Sequence, residues 1–244
     1  MLFVWYKVSF DEKWSHGSAV CETVYFFVEF VCVFPWKCVS LNNQNREKIM
    51  DGILRKLPIG IQTFEKLREG DYLYVDKTAL VWRIASTETP YFLSRPRRFG
   101  KSLLLSTFEA YFEGKKELFE GLAIADMEKE WKTYPVFHLD LNAEKYDSPQ
   151  ALVEILSRQL TQWELKYGKG EDEETLSGRF AGVIRRACEQ SGRGVVVLVD
   201  EYDKPLLQAL DDGTLLDDYR KTLKAFYGVL KSSDRYLRFV FLTG

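Results

Sequence analysis

The feature that most constrains the fold is a run of five apolar residues, 195–199, followed directly by two carboxylates, Asp200 and Glu201. A strand that is apolar at every position is buried on both faces, which is typical of a parallel sheet covered by helices. Three more strand-like runs alternate with helical periodicity, at residues 90–94, 135–141 and 237–242. The sequence therefore predicts an α/β fold in which helices flank a parallel sheet.

Helical segments are predicted before and between these strands. They cover residues 62–68, 77–86, 101–112, about 123–132, 148–166, 173–190 and 214–231. The chain has 244 residues, of which 46% are hydrophobic and 29% charged, as in a folded globular protein. A net charge of −2 argues against binding nucleic acid by bulk electrostatics.

The composition changes near residue 49. Residues 1–49 hold three of the six tryptophans and three of the four cysteines, whereas the chain from Met50 onward is rich in leucine, glutamate and lysine. We expect 1–49 to be an atypical extension outside the working domain, and 50–244 to be that domain. An interfacial anchor or a marginal strand pair is the alternative for 1–49. Acidic residues and Pro35 interrupt its apolar run, so no membrane span is expected.

A glycine-containing turn joins the first predicted strand to a helix, in the segment Leu93-Ser-Arg-Pro-Arg-Arg-Phe-Gly-Lys-Ser102. Backbone N–H groups at a helix start favour a bound anion. Gly100 lets the backbone approach phosphates, Lys101 can reach the β and γ oxygens, and Ser102 can bind magnesium. The first glycine of the usual phosphate-loop pattern is replaced by Arg95. The alternative is a Gly-Lys-Ser sequence that merely starts a helix.

The predicted nucleotide-binding residues are all in this segment: Arg97, Arg98, Phe99, Gly100, Lys101, Ser102 and Leu103. Solvated or sheet-capping roles are equally compatible with Arg97 and Arg98.

The two carboxylates after the apolar strand have separate predicted roles. Asp200 would hold magnesium together with Ser102, and Glu201 would orient and deprotonate the attacking water. Because ligands bind at the carboxyl ends of parallel strands, both motifs fall where a site is expected. A solvated strand end is the alternative for the two carboxylates alone.

Thr243, at the end of the last strand, is a candidate contact for the γ-phosphate or the water. A threonine with no ligand is an equally good interpretation. Asp140 is a weaker candidate for the site. His138 is more readily explained as a packed histidine, and Tyr202 with Asp203 as a turn closed by Pro205.

A strand between the lysine loop and the Asp-Glu strand, and the carboxylate after Asp200, favour the additional-strand, catalytic-glutamate class of P-loop NTPases. We therefore expect ATP and Mg²⁺ as ligands, and hydrolysis rather than phosphoryl transfer. A non-hydrolysing nucleotide-binding module or an inactive fragment are the alternatives.

The chain resembles the bacterial AAA-ATPase-like family in five segments. They are Leu57-Pro-Ile-Gly-Ile-Gln-Thr-Phe64, Tyr72-Leu-Tyr-Val-Asp-Lys-Thr78, the Arg-Pro-Arg-Arg-Phe-Gly-Lys-Ser loop, Val199-Asp-Glu-Tyr-Asp-Lys-Pro205 and Phe239-Val-Phe-Leu-Thr-Gly244. An arginine in place of the first glycine, as at Arg95, is the form of the loop that this family itself has. The resemblance covers residues 50–244 and implies an ATP-binding domain with Lys101, Ser102, Asp200 and Glu201 in its two nucleotide motifs.

Full-length members of that family are similar to PD-(D/E)XK nucleases in a C-terminal module. The sheet predicted here would lack its last strand, so we expect a fragment in which ATP controls an effector outside these residues. DNA would be a partner only through such a module, and assembly of identical copies is an open alternative. Few cysteines and no secretory signal favour the cytoplasm.

Overall fold

The computed structural model describes residues 55–142 and 145–244. These residues form four parallel strands in the order β1-β4-β3-β2, with helices on both faces. The strands are β1 (Tyr91–Leu93), β2 (Val136–Asp140), β3 (Val195–Asp200) and β4 (Leu237–Thr243). The prediction of an α/β fold with a parallel sheet is confirmed. β4, the last of these strands along the chain, lies between β1 and β3 in the sheet. β2, which comes between β1 and β3 along the chain, lies at the edge beside β3.

β3 forms the centre of two separate cores, which explains its unbroken apolar sequence. All six of its residues are buried, and alternate side chains point to opposite faces. Val195, Val197 and Val199 join the core on one face of the sheet. Val196 and Leu198 join the core on the other face. An alternating polar pattern would have left one of these cores without its central strand.

The α-helices of the described residues are α1 (Phe64–Glu69), α2 (Thr78–Ala85), α3 (Lys101–Phe112), α4 (Ala123–Met127), α5 (Pro149–Tyr167), α6 (Leu176–Ser191), α7 (Lys204–Gln208) and α8 (Gly213–Ser232). Short 3₁₀ turns, Lys116–Phe119 and Asp234–Tyr236, precede α4 and β4. α3 packs beneath β1, β3 and β4, with α1, α2 and α4 around it. On the opposite face α5, α6 and α8 cover the sheet.

The helix predicted around 123–132 is shorter than expected, because α4 ends at Met127. Glu128 is extended and binds two groups, the hydroxyl of Tyr111 at 2.5 Å and the N–H of Glu130 at 2.9 Å. Trp131 has a φ of +43° and packs against Phe119. These tertiary contacts end the helix, and no local signal in the sequence announces them. The strand-to-helix turn predicted before Pro205 is confirmed, because residues 201–203 form a turn and the short helix α7 begins at Lys204 with Pro205 in its first turn.

The extension predicted for 1–49 lies outside the described residues. Within the described part of the chain, no helix is both long enough and apolar enough to cross a membrane.

A buried ion pair fastens α5 to α6. The guanidinium of Arg179 donates to both carboxylate oxygens of Glu164, at 2.8 and 2.7 Å, and to the hydroxyls of Ser157 and Thr161. Both charged residues are less than 10% exposed. Because all these partners of Arg179 lie on α5, the pair fixes the position of α6 against α5. α6 in turn packs against β3.

Replacing Arg179 with methionine should therefore destabilise the fold by about 3–5 kcal/mol, since Glu164 would stay buried without its partner. Urea unfolding measures the change. Lys221→Met is the matched control, because the Lys221–Asp218 pair is exposed with atoms 3.9 Å apart, and it should change stability by less than about 0.5 kcal/mol. Equal stability of the two variants would contradict the assignment.

Candidate functional site

The carboxyl ends of the strands bring together residues that lie far apart in sequence. In the sheet register Leu93 pairs with Thr243, and Asp140 with Asp200. The loop after β1 leads directly into α3, whose first residue is Lys101. The loop, the Asp200–Glu201 pair and Thr243 therefore meet at one edge of the sheet, where open α/β sheets bind ligands.

Gly100 sets the direction in which the loop enters α3. It adopts a left-handed φ of +76°, and its carbonyl accepts the first helical bond from the N–H of Leu104 at 2.9 Å. A side chain at this position would meet nothing within 4 Å, so the glycine is required by its backbone conformation and not by space. Arg97, Arg98 and Phe99 are exposed. The N-terminal amides of α3 thus face an open loop carrying two positive charges.

Lys101 is buried, with 6% of its surface exposed, and its ammonium group turns back into the loop. Nζ donates to the carbonyl of Arg95 at 2.8 Å and lies 3.1 Å from Oε1 of Glu201. Low solvent exposure strengthens such a pair relative to one in water. In this structure the lysine and the glutamate therefore neutralise each other.

The carboxylate of Asp200 connects α3 to β3 and β4. Its Oδ2 accepts from the Ser102 hydroxyl, and its Oδ1 accepts from the Thr243 hydroxyl, both at 2.5 Å. The Thr243 oxygen in turn accepts from the N–H of Glu201 at 3.3 Å. Asp200 is 4% exposed and Thr243 is fully buried. Ser102, Asp200, Glu201 and Thr243 form one hydrogen-bonded cluster.

Glu201 has a φ of +52°, a left-handed conformation that non-glycine residues rarely adopt. Such a conformation costs on the order of 1–3 kcal/mol and persists where surrounding contacts enforce it. Here the next amide, that of Tyr202, donates to the Thr243 carbonyl at 2.8 Å. The distortion turns the chain sharply at the end of β3, and the Glu201 carboxylate lies against Lys101 as a result.

His138 and Asp140, two weaker candidates, have contacts of their own. Nδ1 of His138 lies 2.9 Å from Oε2 of Glu109 on α3, while Asp140 is exposed and accepts from the N–H of Asn142. Burial lowers the pKa of His138, but Glu109 and the nearby Asp200 and Asp140 outweigh it, so that the pKa is raised. Asp140 thus contacts its own loop, and His138 is linked to the helix that carries Lys101.

Sequence reasoning gave little weight to Asp203, which lies beside the cluster. A Cβ built on Gly244 would come within 2.9 Å of its Oδ1, and Gly244 is bonded through its carbonyl to the N–H of Arg95. Burial raises the pKa of Asp203, Glu201 adds to the rise, and the positive charge of Lys101 opposes it. The sequence signal that pointed to Asp203 was the charge-rich segment at the end of β3, from Asp200 to Lys204.

The donor set fits a magnesium ion held jointly with a phosphate ligand. Among residues 55–142 and 145–244, no three His, Cys, Asp or Glu side chains cluster to form a metal cage. Ser102 and Asp200 supply one hydroxyl and one carboxylate at the start of α3. Mg²⁺ is commonly bound by one or two protein oxygens, with substrate phosphates and water completing its octahedron.

Comparison with known proteins gives one family. The family described as "Predicted AAA-ATPase" matches residues 58–244. A protein of Azotobacter chroococcum mcd 1, "Uncharacterized protein in vnfD 5'region", is 42% identical over 191 residues, or 78% of this chain. The match spans 37% of that relative's length. No solved structure matches the chain.

Thr243→Val should destabilise the protein by about 2–3 kcal/mol, because it removes a donor from the buried Asp200 carboxylate and an acceptor from the Glu201 amide. Thr243→Ser retains the hydroxyl and loses one methyl group, at a cost of about 0.8 kcal/mol. Urea unfolding of both variants measures the difference. If they were equally stable, the hydroxyl would have no structural role in the cluster.

The raised pKa of His138 also gives a prediction with a definite sign. Glu109→Gln should lower that pKa, as followed by NMR titration of the imidazole signals, while Glu113→Gln near the end of the same helix should not change it. Because the folded pKa is raised, the stability that this pair contributes is present below the ordinary value of 6.5 and is lost as pH rises through the folded value. An unchanged pKa in Glu109→Gln would refute the assigned contact.

Proposed function

Because the chain belongs to the predicted AAA-ATPase family, we propose that it binds ATP with Mg²⁺ at the carboxyl edge of its sheet and hydrolyses the nucleotide. Membership of the family suggests ATP binding by itself. Hydrolysis is supported by one observation above all: the hydrogen-bonded and ion-paired cluster that joins Lys101, Ser102, Asp200, Glu201 and Thr243. Each member has a distinct part in the proposal.

The phosphates bind at the start of α3. The backbone amides of residues 97–103 and the positive end of the helix dipole attract the triphosphate. These groups favour any anion and require no specific side chain. Lys101 exchanges its contacts with Glu201 and the Arg95 carbonyl for the β and γ oxygens. The exposed side chains of Arg97 and Arg98 add positive charge at the loop. Phe99 and Gly100 contribute backbone amides from the loop, and Leu103 contributes its amide from the first turn of α3.

Ser102 and Asp200 hold the metal ion. This assignment is supported by their 2.5 Å hydrogen bond, which brings the two oxygens side by side, so that a cation between them would replace the shared hydrogen. When bound, Mg²⁺ would neutralise negative charge on the phosphate oxygens. Asp200 keeps its bond to Thr243, which fixes the orientation of its carboxylate.

Glu201 acts as the general base once Lys101 has left it. Its carboxylate is then free to accept a proton from the attacking water, a contribution of about 10² to 10⁴ in rate. Thr243 is fully buried and keeps its hydroxyl proton on Asp200, so in this proposal the remaining lone pair of its oxygen accepts from the attacking water. The strained backbone of Glu201 is the kind of distortion that concentrates at functional sites.

The sheet order supports the additional-strand, catalytic-glutamate subclass. β4 lies between the loop strand β1 and the Asp200 strand β3, and a carboxylate directly follows Asp200. We assign residues 50–244 to this ATP-binding domain. The chain spans 37% of the relative's length, and control of an effector or partner, including a nuclease-like module, is therefore a separate part of the proposal, as is assembly of identical copies.

A second function has one specific observation in its favour. Glu201 is paired with Lys101 in this structure, so the base is engaged and not free. If ATP bound without breaking that pair, the domain would be a nucleotide-dependent interaction module with no turnover.

ATP binding is tested by thermal unfolding. At about 100 times its dissociation constant, ATP with Mg²⁺ should stabilise the full chain by about 2.7 kcal/mol, and Lys101→Ala should abolish that increment. Lys115→Ala is the matched control, since Lys115 follows the other end of α3 and pairs with surface glutamates. No stabilisation of the wild type would refute ATP binding.

Hydrolysis is tested separately by phosphate release. Glu201→Gln should retain ATP binding and reduce turnover by about 10² to 10⁴. Binding by both proteins with turnover in neither would favour the interaction module, whereas equal turnover above background would refute Glu201 as the general base.

A further inference from the structure

Two charged side chains beside the site have buried atoms without a hydrogen-bond partner. Among the described residues these include Nε of Arg95 and Oδ1 of Asp203. One is a donor and the other an acceptor, and their charges are opposite. A buried polar atom without a partner is unfavourable, and a charged one more so. Neither atom therefore has, in the part of the chain that the structure describes, the hydrogen-bond partner that its burial favours.

Both side chains belong to segments that flank the same glycine. The N–H of Arg95 donates to the Gly244 carbonyl at 3.1 Å. On Gly244 a Cβ would lie 2.9 Å from Oδ1 of Asp203 and 2.7 Å from the ring of Tyr202. The missing side chain thus lets the carboxylate approach the segment that Arg95 contacts through its backbone. Arg95, through its backbone, and Asp203, through its carboxylate, therefore both lie against Gly244.

The cation shared by this region is Lys101. It pairs with Glu201, donates to the Arg95 carbonyl and acts electrostatically on Asp203. If a triphosphate draws Lys101 away, Glu201 and Asp203 both lose their nearest positive charge. At the same time the Arg95 carbonyl loses its bond to Lys101, while the Arg95 N–H stays bonded to Gly244. A second cation is then needed to compensate these carboxylates. Arg95 is the loop arginine that is half-buried, whereas Arg97 and Arg98 are exposed.

We propose that Asp203 is a positioning residue for the phosphate loop, and that its carboxylate binds the Arg95 guanidinium when ATP draws Lys101 away from Glu201. The inference rests on the proposed ATP site and deepens it, because it names the rearrangement that accompanies binding. Without nucleotide, Lys101 bridges Glu201 and the Arg95 carbonyl. With nucleotide, Lys101 contacts phosphate and Arg95 contacts Asp203, which holds the loop closed against the end of β4.

Tyr227 provides the competing explanation for Asp203. Its hydroxyl is also buried without a partner, and Asp203 lies near enough to act on it electrostatically. A fixed contact between Asp203 and Tyr227 through one water would satisfy both atoms. That contact would not depend on nucleotide, whereas the Arg95–Asp203 pair would.

A double-mutant cycle separates the two explanations. We would measure the dissociation constant of β,γ-imido-ATP with Mg²⁺ for the full chain, for Arg95→Gln, for Asp203→Asn and for the double variant. Coupling seen in a dissociation constant reports only what differs between the bound and free states. The matched control is the same cycle with Tyr227→Phe in place of Arg95→Gln. Urea unfolding without nucleotide checks each variant for folding.

Each single variant should weaken binding about tenfold, and the double variant should be no weaker than either, which is a tenfold coupling or about 1.4 kcal/mol. Arg95→Lys, which keeps the charge, should retain more affinity than Arg95→Gln. The Tyr227→Phe cycle should be additive. If Arg95→Gln did not fold, the cycle of Arg95→Lys with Asp203→Asn would replace it with the same expected sign.

Additive effects of Arg95→Gln and Asp203→Asn, in a wild type that binds the analogue, would overturn this inference and leave the ATP site intact. Coupling between Asp203 and Tyr227 instead would assign Asp203 to the water-bridged contact. No binding by the wild type would refute the ATP site itself together with the rearrangement.

Discussion

The hydrogen bonds to the Asp200 carboxylate are the constraint on which the rest of the site depends. A carboxylate that is 4% exposed requires donors, and Asp200 takes them from Ser102 on α3 and Thr243 on β4. These two contacts set the start of the loop helix and the end of the neighbouring strand relative to β3. Because the carboxylate and its two donors come from three different elements, the site exists only when the sheet order β1-β4-β3 is in place.

At the same end of the sheet, the charged side chains of Lys101, Asp200 and Glu201 are satisfied by contacts within the protein. Lys101 and Glu201 are paired, Asp200 is bonded to two hydroxyls, and the exposed arginines of the loop face solvent. A triphosphate with Mg²⁺ would offer Lys101 and Asp200 stronger partners than they have now. Binding therefore exchanges internal contacts for contacts to the nucleotide, and Glu201 is released only when the exchange occurs. In this account the ion pair links nucleotide occupancy to the availability of the base.

The fold could be predicted from the sequence because its strongest signals are local. The apolar run of β3 and the alternation of strands and helices are properties of short segments, and the strands observed match those predicted to within one or two residues. The Gly100-Lys-Ser102 turn and the Asp200–Glu201 pair were likewise visible, and the parallel sheet places them at one edge. What the sequence did not indicate depends on contacts between distant residues.

Three such cases have identifiable causes. The early end of α4 follows from the bond between Glu128 and Tyr111. The Lys101–Glu201 pair depends on the positive φ of Glu201, which no β-propensity argument would place at that position. The position of the Asp203 carboxylate against residue 244 depends on the glycine there, 41 residues later in the chain. In each case the deciding partner lies outside any window over which periodicity can be judged.

The most direct test of the central claim is a crystal structure of the chain with β,γ-imido-ATP and Mg²⁺. The account predicts the triphosphate at the start of α3, with Lys101 on its oxygens and separated from Glu201, and with the metal ion bound by Ser102 and Asp200. A bound nucleotide elsewhere, or one at α3 with the Lys101–Glu201 pair intact, would contradict it.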